Sequence, residues 1–275
     1  MYNSWVLNVY DIWVVGISNS YAWCCPTSSV LHPFFKANFS SNHLDAGVGT
    51  GYFLAKAVLD QPATPNVDTY EAQQITLVDL KPNCLSMAAA RIKAARPALA
   101  PARTFAADAF ETLPLKSSNG SIGDERTGKE KFDSISLFYL LHCVPGPCSA
   151  KSRIFVNLKT HLTADGTLYG PTILGQGGNV HFNWFASVLL GAYNTKGIFG
   201  NSGDTEKLFV EALGRNFDKL ESRVEGCVLL FKASKSISLD SRDSGELEYK
   251  PRIYCNVRRV RYCDARICRL VITCN

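Results

Sequence analysis

Two periods of apolar positions alternate along the chain, and the switches between them lay out its elements. His43-Leu44-Asp45 closes a short strand, a glycine-rich turn follows, and residues 50–59 read as a helix. Residues 75–79 are a β-branched second strand, and Asn83 caps a helix with Leu85, Ala88, Ala89 and Ile92 on one face. Pro97 and Pro101 stop that helix, and residues 103–107 form a third strand ending at Asp108. Residues 132–141 predict a strongly apolar fourth strand. Ser149 starts a helix with Ile154, Phe155, Leu158 and Leu162 inward, stopped at Gly166, and residues 167–174 are a fifth strand. Residues 181–195 and 204–217 are helical, and 217–224 with 227–233 pair antiparallel around Glu225-Gly226. Five strands alternating with helices imply a mainly parallel, doubly wound α/β sheet, closed by an antiparallel last strand.

The flanks read differently. Residues 5–35 carry Trp5, Tyr10, Trp13, Tyr21, Trp23, Phe34 and Phe35, the pattern of one or two helices ending near Pro33. They serve either as packing or as a lid over a pocket. Residues 61–73, with Pro62 and Pro65, and residues 116–131 are polar loops. Beyond Ser234 the periodicity decays. The expected organisation is a helical lid over 1–35, a catalytic domain over 36–234 and an irregular basic tail over 235–275.

Charge sharpens that division. The net charge of +5 falls as +1 on residues 1–234 and +4 on residues 235–275. A near-neutral body argues against a nucleic-acid groove. The apolar stretch 5–17 is interrupted by Asn8 and Asp11 and is too short to span a bilayer, and the first basic residue is Lys36. The expectation is a cytoplasmic protein with no membrane partner. Ten cysteines contain no Cys-x-x-Cys pair, which argues against a zinc ribbon and for thiols.

The candidate chemistry starts at His43-Leu-Asp45-Ala-Gly47-Val-Gly49-Thr-Gly51, where a strand turns into a helix. Glycines there let the backbone turn sharply and approach a ligand, and the helix start offers unpaired N–H groups. Dinucleotide binders use Gly-x-Gly-x-x-Gly; here the spacing is Gly-x-Gly-x-Gly with an acid two residues upstream. An acid repels a pyrophosphate but suits the amino group of a methionine moiety, so the spacing favours S-adenosyl-L-methionine over NAD. Asp79 ends the second strand, where a carboxylate accepts from both ribose hydroxyls, and Leu80 packs on adenine. Asp108 ends the third, accepting from the adenine amino group, with Ala109 and Phe110 beside it. The plainer roles are a helix cap for Asp79 and a turn residue for Asp108.

With these stretches in view, the chain resembles class I S-adenosylmethionine-dependent methyltransferases, specifically a group of small bacterial and fungal ones, over about residues 10–234. The marks are Tyr10-Asp11, Ser18-Asn19, Trp23 with Cys25-Pro26-Thr27, His43 through Leu54, and Leu77 through Asn83. They continue with Phe132-Asp133-Ser134, Leu140 through Gly146, Tyr193-Asn194, Gly197-Ile198-Phe199 and Gly226-Cys227. The resemblance implies a Rossmann-like fold and, from fungal relatives, a place in secondary metabolism. The 116–131 loop and the tail after Ser234 depart from the group.

Methyl transfer to oxygen needs alignment, a dry site and a base for the acceptor's proton. His142, just past the fourth strand, is the first candidate base and His181, after the fifth, the second. A hydrogen-bonded core histidine is the plainer role for His142. His43 caps strand structure and His161 sits on a solvent-facing helix. Tyr10, Trp23 and Tyr139 are candidate walls of an acceptor pocket. No paired carboxylate and amide cluster marks a metal site, so none is expected. The leading function is O-methylation of a small molecule. A cofactor-binding pseudoenzyme or a non-methylating cyclase on the same fold remains open, as does nucleic-acid modification through the basic tail.

Overall fold

The computed structural model describes residues 11–60, 73–116, 123–124, 128–177 and 180–237. Tyr10, Pro62, Pro65, Gly178, most of the 116–131 loop and the tail from residue 238 lie outside these residues.

Seven strands form one sheet: β1 (Asn42–Ala46), β2 (Gln74–Asp79), β3 (Arg103–Ala106), β4 (Phe132–Ser136), β5 (Leu162–Ile173), β6 (Phe217–Glu225) and β7 (Val228–Ser236). Their order across the sheet is β3-β2-β1-β4-β5-β7-β6. β1 through β5 pair in parallel, and β7 runs antiparallel to both its neighbours. The order reverses between β1 and β4, so the crevice for a ligand opens at their carboxyl ends. His43 lies opposite Ser134 and Asp45 opposite Ser136 across that switch point.

The helices are α1 (His32–Asn38), α2 (Tyr52–Leu59), α3 (Pro82–Ala95), α4 (Cys148–Lys159), α5 (Trp184–Thr195) and α6 (Glu206–Gly214). Two wide π-type helices, Asp11–Ala22 and Thr27–Leu31, precede α1. One face of the sheet packs Leu44, Ile135 and Phe231 with Phe155 of α4 and Phe209 of α6. The other buries Leu77 with Phe35, Leu54, Ala88 and Ile92 of α1, α2 and α3. Each such side chain contributes about 1.5–3 kcal/mol when fully buried. A third cluster joins Trp23 and Leu31 to Leu190 of α5 and to Cys227 and Leu230 of the β6–β7 hairpin.

Four expectations are corrected. The fourth strand is shorter than residues 132–141, because Tyr139 takes a left-handed φ of 59° and the chain enters a 3₁₀ turn, Leu141–Cys143. Gly166 does not stop a helix: α4 ends at Lys159, and Gly166 lies inside β5, where a Cβ would meet the Phe132 carbonyl at 2.9 Å. Pro33 begins α1 rather than ending a helix, since its missing N–H costs nothing in a first turn. His161 is buried, not solvent-facing, with Nδ1 2.9 Å from the Glu130 carbonyl.

Candidate functional site

The glycine turn leaves β1 and enters α2 at the sheet's switch point. Gly47, Gly49 and Gly51 all take positive φ, at 73°, 55° and 68°. The Gly47 N–H donates to the Val78 carbonyl at 2.8 Å and that of Gly51 to Val48 at 2.9 Å, so the loop folds back against β2. A Cβ on Gly47 would stand 2.6 Å from Leu140 Cδ1, and one on Gly51 2.7 Å from the Ala88 Cβ. A Cβ on Gly49 would meet nothing within 4 Å, so this side of the loop faces open space. Arg91 of α3, which sequence reading missed, donates to the Thr50 carbonyl at 3.3 Å and hydroxyl at 3.1 Å, clamping the turn from outside.

Three carboxylates line the carboxyl edge. Asp45 is buried and accepts a 2.5 Å hydrogen bond from the Ser136 hydroxyl. Burial pushes its pKa up to about 7, against the lowering effect of Ser136, and Asp79 pushes the same way as burial. Asp79 accepts from the Gly49 N–H at 3.2 Å and from the Lys81 N–H at 2.9 Å, so it ties β2 to the glycine turn and to the residue that precedes α3, without capping that helix. Leu80 beside it is 65% exposed, an apolar surface left at the rim. Asp108 is exposed and accepts from the Phe110 N–H at 2.9 Å, the geometry of a turn residue. Ala109 packs at the edge of the main core, and its carbonyl is held by Asn157 Nδ2 at 3.2 Å. The structure thus brings Asp45, Gly47, Gly49, Gly51 and Asp79 together, with Leu80, Asp108 and Ala109 following along the same edge.

Past β4 the residues are aromatic. The Tyr139 ring lies 5.3 Å from His142 and 6.4 Å from Phe53. Phe199, which sequence reading did not place in the site, lies 4.5 Å from His142, 4.9 Å from Tyr193 and 6.1 Å from Trp23. His142 is 3% exposed; burial, then the nearby Lys151 charge, drives its pKa down to about 3, so the imidazole is neutral. Its Nδ1 receives a long 3.5 Å hydrogen bond from the Ile173 N–H. Trp23 is 2% exposed and packs beneath this cluster, so it is a buried support rather than an open wall. Tyr139 is half-buried at the rim. His181 is exposed, and among the described residues no hydrogen bond or ring contact joins its imidazole to His142. Its carbonyl accepts from the Cys227 thiol at 3.6 Å. Tyr10, the remaining expected wall, is outside the described residues.

A separate hollow of about 370 Å³ opens between α1 and the β6–β7 hairpin, lined by Phe34, Asn38, Arg223 and Lys232 among others, and shares no residue with the glycine turn. Among the described residues no group of three or more His, Cys, Asp or Glu converges as metal ligands would.

No family model matches the chain. Relatives of known name do. The Physcion biosynthesis cluster O-methyltransferase of Aspergillus chevalieri is 40% identical over 235 residues, covering 86% of this chain and 93% of that protein. The O-methyltransferase adaD of Aspergillus niger is 37% identical over 237 residues, covering 86% and 88%. Among solved structures, an O-methyltransferase family protein from Burkholderia thailandensis superposes with a TM-score of 0.54 at 12% identity, covering 86% of this chain and 61% of that one. The Mitomycin 7-O-methyltransferase MmcR gives 0.52 at 17% identity, covering 85% and 58%. The chain therefore spans under two thirds of either solved protein, and the likeness is one of fold.

Proposed function

Since the chain belongs to the class I S-adenosylmethionine-dependent methyltransferases, we propose that Asp45, Asp79 and the Gly47–Gly51 turn hold the donor while the aromatic rim around Tyr139 receives a small acceptor. S-adenosylmethionine is the cofactor and O-methylation the reaction. The observation that carries the residue assignment is the three-glycine turn with its open side at Gly49, set between a buried acid and a rim acid. The residues suit this cofactor: an anionic Asp45 matches an ammonium, Asp79 stands where a ribose binds, and exposed Leu80 offers adenine an apolar face. Asp108 and Ala109 complete the adenine side. When bound, the cofactor supplies an electrophilic methyl group on a sulfonium sulfur.

The protein's own work is then alignment, exclusion of water and disposal of a proton. Neutral His142 is in its base form, but its low basicity gives little driving force for proton removal. That balance supports an acidic hydroxyl, a phenol or enol, over an aliphatic alcohol as acceptor. The planar rings of Tyr139, Phe199 and Phe53 support a flat aromatic acceptor, which they would stack against once the cluster opens. His181 is the second base, acting from the solvent side. In this reading the helical segment 11–35 is the lid on the acceptor side. The near-neutral charge of residues 1–234 supports a small molecule rather than a nucleic acid. No helix among the described residues is long and apolar enough to cross a membrane.

Calorimetry with S-adenosylmethionine and S-adenosylhomocysteine on the wild type and on Asp79→Ala tests the assignment. Both ligands bind the wild type, and the variant binds at least tenfold more weakly. Equal binding by the two proteins would remove Asp79 from the site.

A further inference from the structure

His43 takes no part in the function above, yet both of its ring nitrogens are engaged by hydroxyls inside the sheet. It lies two residues before Asp45 on β1, so both side chains point to the same face. Its Nε2 is 3.0 Å from the Ser136 hydroxyl, and that hydroxyl donates to Asp45 Oδ1 at 2.5 Å. Its Nδ1 is 2.6 Å from the Ser134 hydroxyl. Ser134 in turn is reached by the Ser40 N–H at 3.0 Å and the Ser40 hydroxyl at 2.6 Å. The surroundings are dry: the ring is fully buried, 4.9 Å from Phe39, 5.8 Å from Phe35 and 6.1 Å from Tyr169.

Donor counting fixes the direction of this chain. A hydroxyl has one proton to give, and a neutral imidazole has one N–H and one acceptor nitrogen. If Asp45 is ionised it must accept from Ser136. Ser136 must then accept from His43 Nε2–H, and Nδ1 must accept from Ser134. If Asp45 is protonated on Oδ1 the row reverses and the imidazole proton sits on Nδ1; a proton on Oδ2 leaves Oδ1 accepting from Ser136 and the imidazole proton on Nε2. The ring carries one proton in both states; the added proton resides on Asp45.

We propose that His43 is a positioning residue for the cofactor: as the Nε2–H tautomer it acts through Ser136 to hold the Asp45 carboxylate in the charged, oriented form that receives the donor's ammonium. The inference rests on the assignment of Asp45 to the cofactor site. The titratable groups facing Asp45 are Asp79 from β2, His43 on its own strand and Tyr169 from β5, besides the Ser136 hydroxyl from β4. The Tyr169 phenol, kept protonated by burial, lies beside both Asp45 and Ser136, and Ser136 is the side chain that donates to the carboxylate. A carboxyl this buried titrates near neutrality, so a small change in its donor moves it across the working pH.

Calorimetry of S-adenosylhomocysteine binding between pH 5.5 and 8.5 tests the proposal on wild type, Ser136→Ala, His43→Phe, His43→Gln and Asp45→Asn. Wild-type affinity rises with pH and levels above the Asp45 midpoint. In Ser136→Ala and His43→Phe the midpoint moves up by about one pH unit, which is a roughly tenfold loss at low pH that closes as pH rises. His43→Gln, whose amide N–H still reaches Ser136, stays within about threefold of wild type. Should His43→Phe fail to fold, Ser136→Ala and the ¹⁵N spectrum of the wild-type imidazole carry the test. That spectrum shows Nε2–H at pH 8.5. An unchanged pH profile in Ser136→Ala, or an Nδ1–H tautomer at pH 8.5, overturns the proposal. If Asp45→Asn binds like wild type, the assignment of Asp45 itself fails. If Asp45→Asn alone loses affinity, only the role of His43 does.

Discussion

The Tyr139 hydroxyl donates a 3.0 Å hydrogen bond to Asn19 Oδ1, joining the rim of the sheet to the helix Asp11–Ala22. Asn19 in turn donates to the Thr27 hydroxyl at 2.9 Å, and that hydroxyl donates to the Val15 carbonyl, so one amide links both π-type helices to the segment that follows β4. Tyr139→Phe keeps the ring and removes the tie. The expected outcome is a two- to tenfold higher KM for the acceptor, matching a net hydrogen bond of about 0.5–1.5 kcal/mol. S-adenosylhomocysteine affinity changes little. Steady-state kinetics with calorimetry check this, and an unaltered acceptor KM would detach the segment from acceptor binding.

Gly49 and Gly51 share a backbone conformation but not a neighbourhood. Gly51→Ala places a Cβ 2.7 Å from the Ala88 side chain and 2.9 Å from its backbone at positive φ. It should cost about 2–5 kcal/mol from left-handed strain plus overpacking. Gly49→Ala carries only the strain, about 1–2 kcal/mol, but sets a methyl in the open cleft. Thermal melts should rank Gly51→Ala far below Gly49→Ala, and Gly49→Ala should still lose S-adenosylhomocysteine affinity more than tenfold. Wild-type affinity in Gly49→Ala would put the ligand elsewhere.

Lys151 and Asp204 form a buried ion pair near His142, 2.5 Å apart and 0% and 1% exposed. Lys151 also donates to the Gly200 carbonyl at 2.8 Å, while the Gly200 N–H reaches the His142 carbonyl at 2.8 Å. The pair therefore holds Phe199 and its neighbours against His142. Lys151→Met leaves a buried carboxylate alone and should cost about 3–5 kcal/mol, roughly 6–20 °C in melting temperature. The double replacement Lys151→Met with Asp204→Leu should recover most of it. A single variant as stable as wild type would contradict the pairing.

Acid should destabilise the fold before most carboxylates titrate. Burial lowers the pKa of His43 and His142 to about 3, and lowers those of His161 and His32. Against an unfolded value near 6.5, their stabilising contribution is complete above that pH and is lost as pH falls towards 3. Asp45, raised to about 7, and Asp204, raised by burial, act oppositely: their contribution is present below the ordinary carboxylate range and is lost as pH rises through the folded value. His43 and His142 together outweigh Asp45, leaving about one net proton, or ~1.4 kcal/mol per pH unit, between pH 6.5 and 4.5. Thermal melts at those two pH values should show a lower midpoint in acid, and a flat profile would refute the burial of these imidazoles.

The glycine turn was legible because its signals are local. Gly47, Gly49, Gly51 and Asp79 announce themselves by spacing along a strand-turn-helix, and the fold places them as expected. What escaped depends on distance in sequence. His43 meets Ser136 across 93 residues and Lys151 meets Asp204 across 53, and no periodicity encodes either meeting. Tyr139 hid the end of β4 because a bulky residue is not the usual bearer of a left-handed φ. Gly166 misled because a glycine that ends a helix and one that admits a neighbouring carbonyl look alike in a sequence.

The hairpin turn at Gly226 touches the other end of the chain. A Cβ there would stand 2.1 Å from the Trp23 carbonyl, and the next N–H, that of Cys227, donates to the same oxygen at 2.8 Å. On the ribosome, residues near Trp23 emerge early, but their docking platform emerges about 200 residues later. The contact between Trp23 and this turn can therefore close only once the final hairpin has been made.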